Sequence, residues 1–357
     1  GDVWAVPEGT VVFPQEPLLR VTAPLVEAQL VETALLSIVT FQTSVASRAA
    51  RIVDAAEGRP VFEFGARRAP GPEAGVLAAR GAYVGGCGGT SMVEAGSRYG
   101  LPLTGTMAHS WVMCFETETE AYTHYMNLYG EQAVLLIDTY DSLSGVERIM
   151  AAGLRPRAVR IDSGDLVSES RAVRTRLDAG GLEGTQILVS GDLDEFRIAE
   201  LVAAKAPIDG FGVGNALSTA SDAPALGGVY KLVEVERQGA IRPTLKLSDG
   251  KITYPGRKQV YRFADETGGY SHDVLGLFEA EPKNEGRELL ERVMVDGRRS
   301  RMAPTVASLQ RRTSADVQRL PIAVRQLRSS GKYTVRRSRA LERLLGRLRD
   351  SLPDIAE

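Results

Sequence analysis

Cysteine is nearly absent. The chain of 357 residues has two, Cys87 and Cys114, at a spacing that fits neither a metal site nor a disulfide framework. They are expected to be core residues in a reducing, cytoplasmic compartment. Excess charge of one sign is missing too. The net charge is −2, which gives no global pull toward nucleic acid or a membrane surface, and neither is expected as a partner. No apolar run reads as long enough to span a bilayer, and no signal peptide is visible. No Gly-rich dinucleotide turn follows a first strand. What is present is ordinary for a globular protein: 43% hydrophobic and 25% charged residues, in a chain long enough for a large core and more than one domain.

Short strands are predicted first, at 3–6, 10–13 and 18–21, punctuated by Pro7, Gly9, Pro14 and Pro17. Thr22 is placed to cap the helix that follows, with Pro24 at its start. From Leu25 to about Ala56 the residues Leu30, Ala34, Ile38 and Phe41 recur every three or four positions, which is a helical period. Gly58-Arg59-Pro60 ends that helix. A strand is predicted at 61–64 and a helix at 73–84, closed by Gly85-Gly86.

Beyond residue 103 one unit repeats: a short apolar strand, a small or acidic residue at its end, then a helical stretch. Four such strands end at Asp138, Asp162, Ser190 and Gly212, spaced by 24, 28 and 22 residues. That is the length of one strand, one helix and two loops, so the units are parallel βαβ. One of the helices between them is predicted over 192–205, with Phe196, Ala199, Leu201 and Val202 as its apolar face. Polar residues at every strand end favour an α/β fold built on an irregular (β/α) barrel, whose strand ends share one mouth. After residue 227, alternating β-rich segments at 229–235, 243–247 and 259–263 predict a second domain that shares the N-terminal strands. Helix returns at 305–328. A last helix from about Ser338 carries Leu341, Leu344, Leu345, Leu348 and Leu352 on one stripe, with Arg339, Arg343, Arg347 and Arg349 around it, and reads as a packed surface helix. The expected division is 1–60 and 229–305 for the second domain, 61–228 for the barrel, and 306–357 for C-terminal helices.

The residues that bear on chemistry fall at predicted strand ends. Gly105-Thr106-Met107-Ala108-His109-Ser110 sets a histidine among small residues with room around the imidazole; a hydrogen-bonded structural histidine is the alternative. Phe64-Gly65-Ala66-Arg67-Arg68 offers a ring for stacking and two guanidiniums for phosphate or carboxylate, against the alternative of a surface arginine pair. Phe211-Gly212-Val213-Gly214-Asn215 reads as a turn after a strand, whose glycines expose backbone N–H groups to a phosphate, and Gly227-Gly228 can add to it. Asp138, Asp141, Asp162, Asp165 and Asp192 suit Mg2+ bound to phosphates, or ribose hydroxyls, with helix capping the default for Asp165 and Asp192. Ser163-Gly164-Asp165 and Ser190-Gly191-Asp192 repeat one triplet in consecutive units. Residue types alone describe a pocket for a phosphorylated sugar and a small planar anion.

Seven motifs carry a more specific signal. Glu63-Phe64-Gly65-Ala66-Arg67-Arg68-Ala69, Gly89-Thr90-Ser91, the His109 stretch, Asp138-Thr139-Tyr140-Asp141, Arg160-Ile161-Asp162-Ser163-Gly164-Asp165, Gly210-Phe211-Gly212-Val213-Gly214 and Tyr254-Pro255-Gly256-Arg257-Lys258 occur in this order. Over a span from Val3 to about residue 300 the chain resembles the nicotinate phosphoribosyltransferases, enzymes of the type II phosphoribosyltransferase fold. The resemblance implies an irregular α/β barrel with a second domain built from both chain ends, working as a homodimer. It implies transfer of phosphoribosyl from phosphoribosyl pyrophosphate to nicotinate, coupled to ATP hydrolysis through a phosphorylated histidine, with Mg2+ as cofactor.

Carried over by motif, His109 is the residue that ATP phosphorylates. Asp138 orients its imidazole or binds Mg2+, and Asp162 serves the ribose hydroxyls or Mg2+. Phe64 stacks under the pyridine ring. Arg67 and Arg160 hold phosphate, pyrophosphate or carboxylate groups. Arg68, Ser163, Gly191 and Asp192 face ribose and phosphate, and Gly212, Gly214, Gly227 and Gly228 the 5′-phosphate. Ser91 and Ser110 are neutral donors compatible with the nicotinate carboxylate, where the related nicotinamide enzyme has an aspartate in the place of Ser91. Family members carry a longer segment ahead of the Phe-Gly-x-Arg motif than the 63 residues here, and that segment closes the partner subunit's pyridine site. The alternatives are a nicotinamide or quinolinate phosphoribosyltransferase, or a non-catalytic barrel that binds a phosphorylated metabolite.

Overall fold

A computed structural model describes residues 1–248, 251–280, 286–328 and 331–351. They fall into two units, one of residues 41–226 and one that joins residues 1–40 to those from 227 onward. The boundary lies inside the long N-terminal helix rather than at residue 60.

The chain opens with β1 (Asp2–Ala5), β2 (Leu19–Thr22), α1 (Leu25–Leu30) and α2 (Glu32–Ala55). The barrel elements follow as β3 (Val61–Glu63), α3 (Pro72–Val84), β4 (Gly89–Thr90), α4 (Val93–Tyr99), α5 (His109–Met113) and α6 (Glu118–Tyr129). Regular alternation then sets in, with β5 (Val134–Leu136), α7 (Ser142–Ala151), β6 (Ala158–Ile161), α8 (Leu166–Ala179), β7 (Gln186–Val189), α9 (Glu195–Ala203), β8 (Gly210–Val213) and α10 (Asn215–Thr219).

In the 41–226 unit six strands form one parallel, curled sheet in the order β4-β3-β8-β7-β6-β5. This is the expected α/β architecture. Its strands are hidden on both faces, and Leu135, Leu136, Val159, Ile161, Ile187, Val189, Phe211 and Val213 are all fully buried. Helices cover them. The second half of α2 contributes Val45, Ala49 and Ile52 to the same core. Arg48 on that helix is buried among carboxylates, with Nε 2.7 Å from Glu195 Oε2, in contact though not aligned as a hydrogen bond, and Nη1 2.6 Å from Asp222. The strand-to-helix turns are ended by acidic caps. Asp141 accepts from Ser144 N at 2.8 Å, Asp165 from Val167 N at 3.2 Å and Asp194 from Arg197 N at 2.8 Å.

The other unit is β-rich. It contains β9 (Glu234–Arg237), β10 (Ala240–Pro243), β11 (Leu247–Ser248), β12 (Lys251–Ile252), β13 (Lys258–Ala264), β14 (Tyr270–Leu277), β15 (Arg287–Glu288), β16 (Glu291–Val295) and β17 (Arg298–Arg299). The chain then continues through α11 (Val306–Gln318), α12 (Ile322–Arg325), β18 (Thr334–Arg337) and α13 (Arg339–Asp350). The N-terminal strands pair with late ones in the sheet β17-β16-β1-β2, and a second sheet runs β15-β13-β14-β18. Val260, Leu275, Leu289, Leu290 and Leu341 form a core there. At its edge Arg262, sealed from solvent, pairs with Asp273 at 2.6 Å.

Several sequence expectations are corrected. Residues 10–13 form no strand; Val11 N donates to Asp316, Phe13 N to Glu16, and Val11 O accepts from Arg262, so side chains take the place of a ladder partner. Thr22 does not cap α1, whose N-cap is Pro24 without a side-chain bond. The segment at 229–235 is strand only from Glu234. Cys87 is buried but Cys114 is exposed. The stretch Leu25–Ala55 is, by length and composition, apolar enough to cross a bilayer, contrary to the reading of the sequence, although its second half is core helix. Phe196 on α9 is exposed while Ile198 and Leu201 are buried. Leu352 lies outside the described residues.

Candidate active site

Asp162, at the end of β6, is the hub of the barrel mouth. Its Oδ1 accepts from Ser190 Oγ at 2.5 Å, across the end of the neighbouring β7, and lies 3.7 Å from Arg160 Nη2. Its Oδ2 is 3.7 Å from His109 Nε2. Its main-chain N–H donates to Asp138 Oδ2 at 2.8 Å, and Ser163 Oγ donates to that same oxygen at 2.7 Å. Three successive parallel strands therefore deliver Asp138, Asp162 and Ser190 side by side. Asp138 Oδ1 is buried with no hydrogen-bond partner.

Arg160, the next-to-last residue of β6, reaches into the same cluster and donates to Thr106 Oγ1. Burial lowers its pKa, opposed by the charges of Asp162 and Asp138. His109 is the first residue of α5. Met107 before it and Val112 after it are buried and pin the short helix, and Trp111 Nε1 donates to Ala121 O at 3.1 Å. The imidazole is left partly exposed between two partners, Thr139 Oγ1 at 3.2 Å from Nδ1 and Asp162 at Nε2. The residue that orients the ring through Nδ1 is thus Thr139 and not Asp138. Sequence reasoning passed over Thr139 and Thr106; both stand inside the motifs singled out, but a threonine hydroxyl carries no signal until its partner is known.

Phe64 and its neighbours gather around β3. Phe64 N donates to Val213 O at 2.8 Å, so the ring leaves the sheet beside β8. Gly212 is inside β8, not in the turn after it, and its missing side chain makes room for the Phe64 ring. Gly214 stands at the start of α10. Glu63 is fully buried; Thr90 Oγ1 donates to its Oε2 at 2.6 Å and the Gly65 N–H to its Oε1. Burial raises the Glu63 pKa, and the bonds from Thr90 and Gly65 oppose that rise. Ser91, Ser110 and Arg67 are exposed and make no hydrogen bond to the Asp162 cluster among the described residues. Arg68 Nη1 lies 3.3 Å from Asp192 Oδ1, both exposed, a pair of little energetic weight. Asp192 is not a helix cap, since Asp194 takes that position; its φ of 45° and that of 98° at Gly191 turn the loop outward. A Cβ on Gly191 would run into the carbonyl oxygen of Asp162. Gly227 and Gly228 belong to the other unit.

A cleft of about 550 Å³ lined by Arg59, Pro60, Arg174, Ile208 and Asp209 lies at the N-terminal ends of β3 and β8, away from His109. Its arginines are turned to main-chain oxygens, Arg59 to Ile208 and Arg174 to Thr185 and Leu182. In parallel barrels that end serves stability and the C-terminal end serves chemistry.

A parallel barrel with an Arg-Asp-His cluster and a stacking ring at its strand ends defines a class. The family model described as "Quinolinate phosphoribosyl transferase, C-terminal domain" matches residues 45–223, so the barrel is a phosphoribosyltransferase barrel. Over the whole chain, the sequence is 47% identical to a Mycobacterium tuberculosis protein named nicotinate phosphoribosyltransferase pncB2, covering 100% of this chain and 77% of that one. The crystal structure of human nicotinic acid phosphoribosyltransferase is similar at a TM-score of 0.83 and 28% identity, covering 97% of this chain and 82% of that one. A nicotinate-nucleotide pyrophosphorylase from Pyrococcus furiosus follows at 0.75 and 30%, covering 89% and 80%. The chain belongs to the nicotinate phosphoribosyltransferase family.

Proposed function

We propose that the protein transfers phosphoribosyl from phosphoribosyl pyrophosphate to nicotinate, forming nicotinate mononucleotide and pyrophosphate for NAD salvage. The transfer is coupled to ATP hydrolysis through a phosphohistidine at His109. A cytoplasmic homodimer is the setting inferred from the resemblance. The observation that supports the coupling best is the placement of His109 between Thr139 and Asp162 at the barrel mouth.

The two ring nitrogens are flanked by Thr139 Oγ1, 3.2 Å from Nδ1, and by the Asp162 carboxylate, 3.7 Å from Nε2. The ring nitrogen that keeps its lone pair attacks the γ-phosphorus of ATP while the other carries the N–H; the N–P bond forms as the bond to the ADP oxygen breaks. In the transfer itself, the bond between ribose C1 and pyrophosphate breaks, C1 becomes cationic, and the pyridine nitrogen supplies the pair for the new bond. Arg160, Arg67 and Arg68 offset the charge of the phosphates, and stacking on Phe64 holds the nucleophile in line. Ser91 and Ser110 donate to the nicotinate carboxylate, which an aspartate would repel. Asp138 and Asp162 are the residues that would hold Mg2+; the partnerless Asp138 Oδ1 supports this, since Mg2+ bound through substrate phosphates needs one or two protein carboxylates. The ion would supply charge neutralisation of the departing pyrophosphate.

Incubation with ATP and Mg2+ followed by intact mass tests the coupling. A phosphate adduct in the wild type that is lost in His109→Ala is expected; an unmodified wild type would overturn it. Nicotinate, nicotinamide and quinolinate compared as acceptors test the substrate. Selective use of nicotinamide or quinolinate would replace the acceptor named here.

A further inference from the structure

We propose that Glu63 is a positioning residue for the acceptor: its buried carboxylate ties the Phe64-Gly65 turn to the Thr90-Ser91 turn and so sets the separation between the stacking ring and the carboxylate donor. The inference rests on the reading of nicotinate as the acceptor. Glu63 touches no bulk solvent, and each of its oxygens meets a donor from a different turn. Gly65 N–H donates to Oε1, and Thr90 Oγ1 donates to Oε2 at 2.6 Å. Thr90 Oγ1 in turn accepts from Met92 N at 2.9 Å, so its hydroxyl proton has one direction left, toward Glu63. The main chain repeats the link, with Ser91 N donating to Glu63 O at 3.0 Å. On the far side, Gly65 is packed so closely that a Cβ would meet Gly214 O and Ser218 Oγ. The Phe64-Gly65 turn is therefore held on one side by the carboxylate and stopped on the other by the end of β8.

Donors on both sides require a group that only accepts. A carboxylate does; an amide of the same shape either turns its NH2 toward the Gly65 N–H or donates to Thr90 Oγ1, which leaves the buried Thr90 hydroxyl proton without this acceptor. Among the described residues, nothing in this arrangement reaches His109 or the Asp162 cluster by a hydrogen bond, so the effect falls on the acceptor and not on ATP or phosphoribosyl pyrophosphate.

Steady-state kinetics on Glu63→Gln, Thr90→Val and Thr90→Ser, with the wild type alongside, test this. Glu63→Gln is expected to raise KM for nicotinate about tenfold, the effect of losing one buried hydrogen bond. KM for phosphoribosyl pyrophosphate and the phosphate adduct at His109 are expected within about twofold of wild type. Thr90→Val, which removes a single link, moves nicotinate KM the same way, and Thr90→Ser, which keeps the hydroxyl, restores it. A lowered melting temperature with nicotinate KM unchanged in both Glu63→Gln and Thr90→Val would make the carboxylate merely structural and overturn the proposal. Equal rises in KM for both substrates would overturn it as well. Should Glu63→Gln not fold, the Thr90 pair decides alone. A wild type that makes no nicotinate mononucleotide would instead sink the acceptor reading, and this inference with it.

Discussion

The ring of Phe64 lies against the α-carbon of Gly212: a Cβ built there would stand 2.5 Å from Phe64 Cε2 and 2.6 Å from Cδ2. Glycine in the middle of a buried strand is costly for the strand, and here its bareness is what seats the ring. Gly212→Ala is expected to push the ring off its place, lowering stability by about 1–3 kcal/mol. Nicotinate KM should rise while phosphoribosyl pyrophosphate KM holds. Melting curves and the two KM values check this, and an unchanged nicotinate KM would mean the ring does not touch the acceptor.

Gly191 offers a second backbone test. At φ 98°, with the Asp162 carbonyl oxygen where its Cβ would go, alanine meets both strain and collision. The strain alone is roughly 1–3 kcal/mol. Gly191→Ala should melt lower than wild type and lose turnover, because relief of the collision moves Asp162. Turnover preserved at a temperature well below the melt would contradict the role given to Asp162.

The parts of the fold that sequence made legible are those with a local cause. The βα period from Asp138 to Gly212 forecast parallel strands, and the small or acidic strand ends located the mouth. What stayed hidden depends on partners far apart in the chain. Thr139 gains meaning only when α5 brings His109 to it, and Glu63 only when β4 lies against β3. The Asp192 cap was misassigned because Asp194, two residues on, is an equally good cap, and only the positive φ at 191 and 192 decides between them. The unit boundary inside α2 was out of reach for the same reason, since a continuous helical period says nothing of which neighbours each turn has.

Arg48 carries a stability prediction. It is buried with Glu195 and reaches Asp222, so removing it leaves the buried Glu195 carboxylate with Arg51, whose Nε is 3.2 Å from Oε1, as its remaining cation. Arg48→Ala should cost roughly 1–3 kcal/mol, the range for losing one partner of a buried polar group that keeps another. Chemical denaturation would show it, and a loss below about 1 kcal/mol would place the network in the weak class of surface pairs.

Thiol chemistry should separate the two cysteines. Burial pushes the Cys87 thiol up and closes it to reagents, whereas Cys114 is exposed. In the native protein an aromatic disulfide reagent should titrate one thiol quickly and the second only in denaturant. Loss of the fast thiol in Cys114→Ser assigns it.

In the β-rich unit, burial and the adjacent Asp273 carboxylate push Glu16 up to about 9 from an ordinary 4.5. The folded chain then holds a proton that the unfolded chain releases, so stability falls as pH rises across that window. The contribution is complete below 4.5 and lost by about 9. Glu16→Gln carries no such proton. Its melting temperature should exceed that of the wild type at the alkaline end and the gap should close toward pH 5. Parallel melting profiles would refute the assignment.

The curled sheet ends at β4, and beyond it only Leu103 bridges to Thr90 before the chain leaves toward His109. Between Thr104, whose amide donates to Thr90, and Trp111, whose amide donates to Ala108, no main-chain amide of the segment donates to a main-chain acceptor among the described residues. The histidine proposed to carry phosphate therefore rides on the part of the mouth least stitched to the sheet. In hydrogen-exchange terms, the amides of residues 105–108 should trade with solvent long before those of β6 and β7. The site would then consist of a slowly exchanging wall holding Asp162 and a fast-exchanging segment that leads into His109.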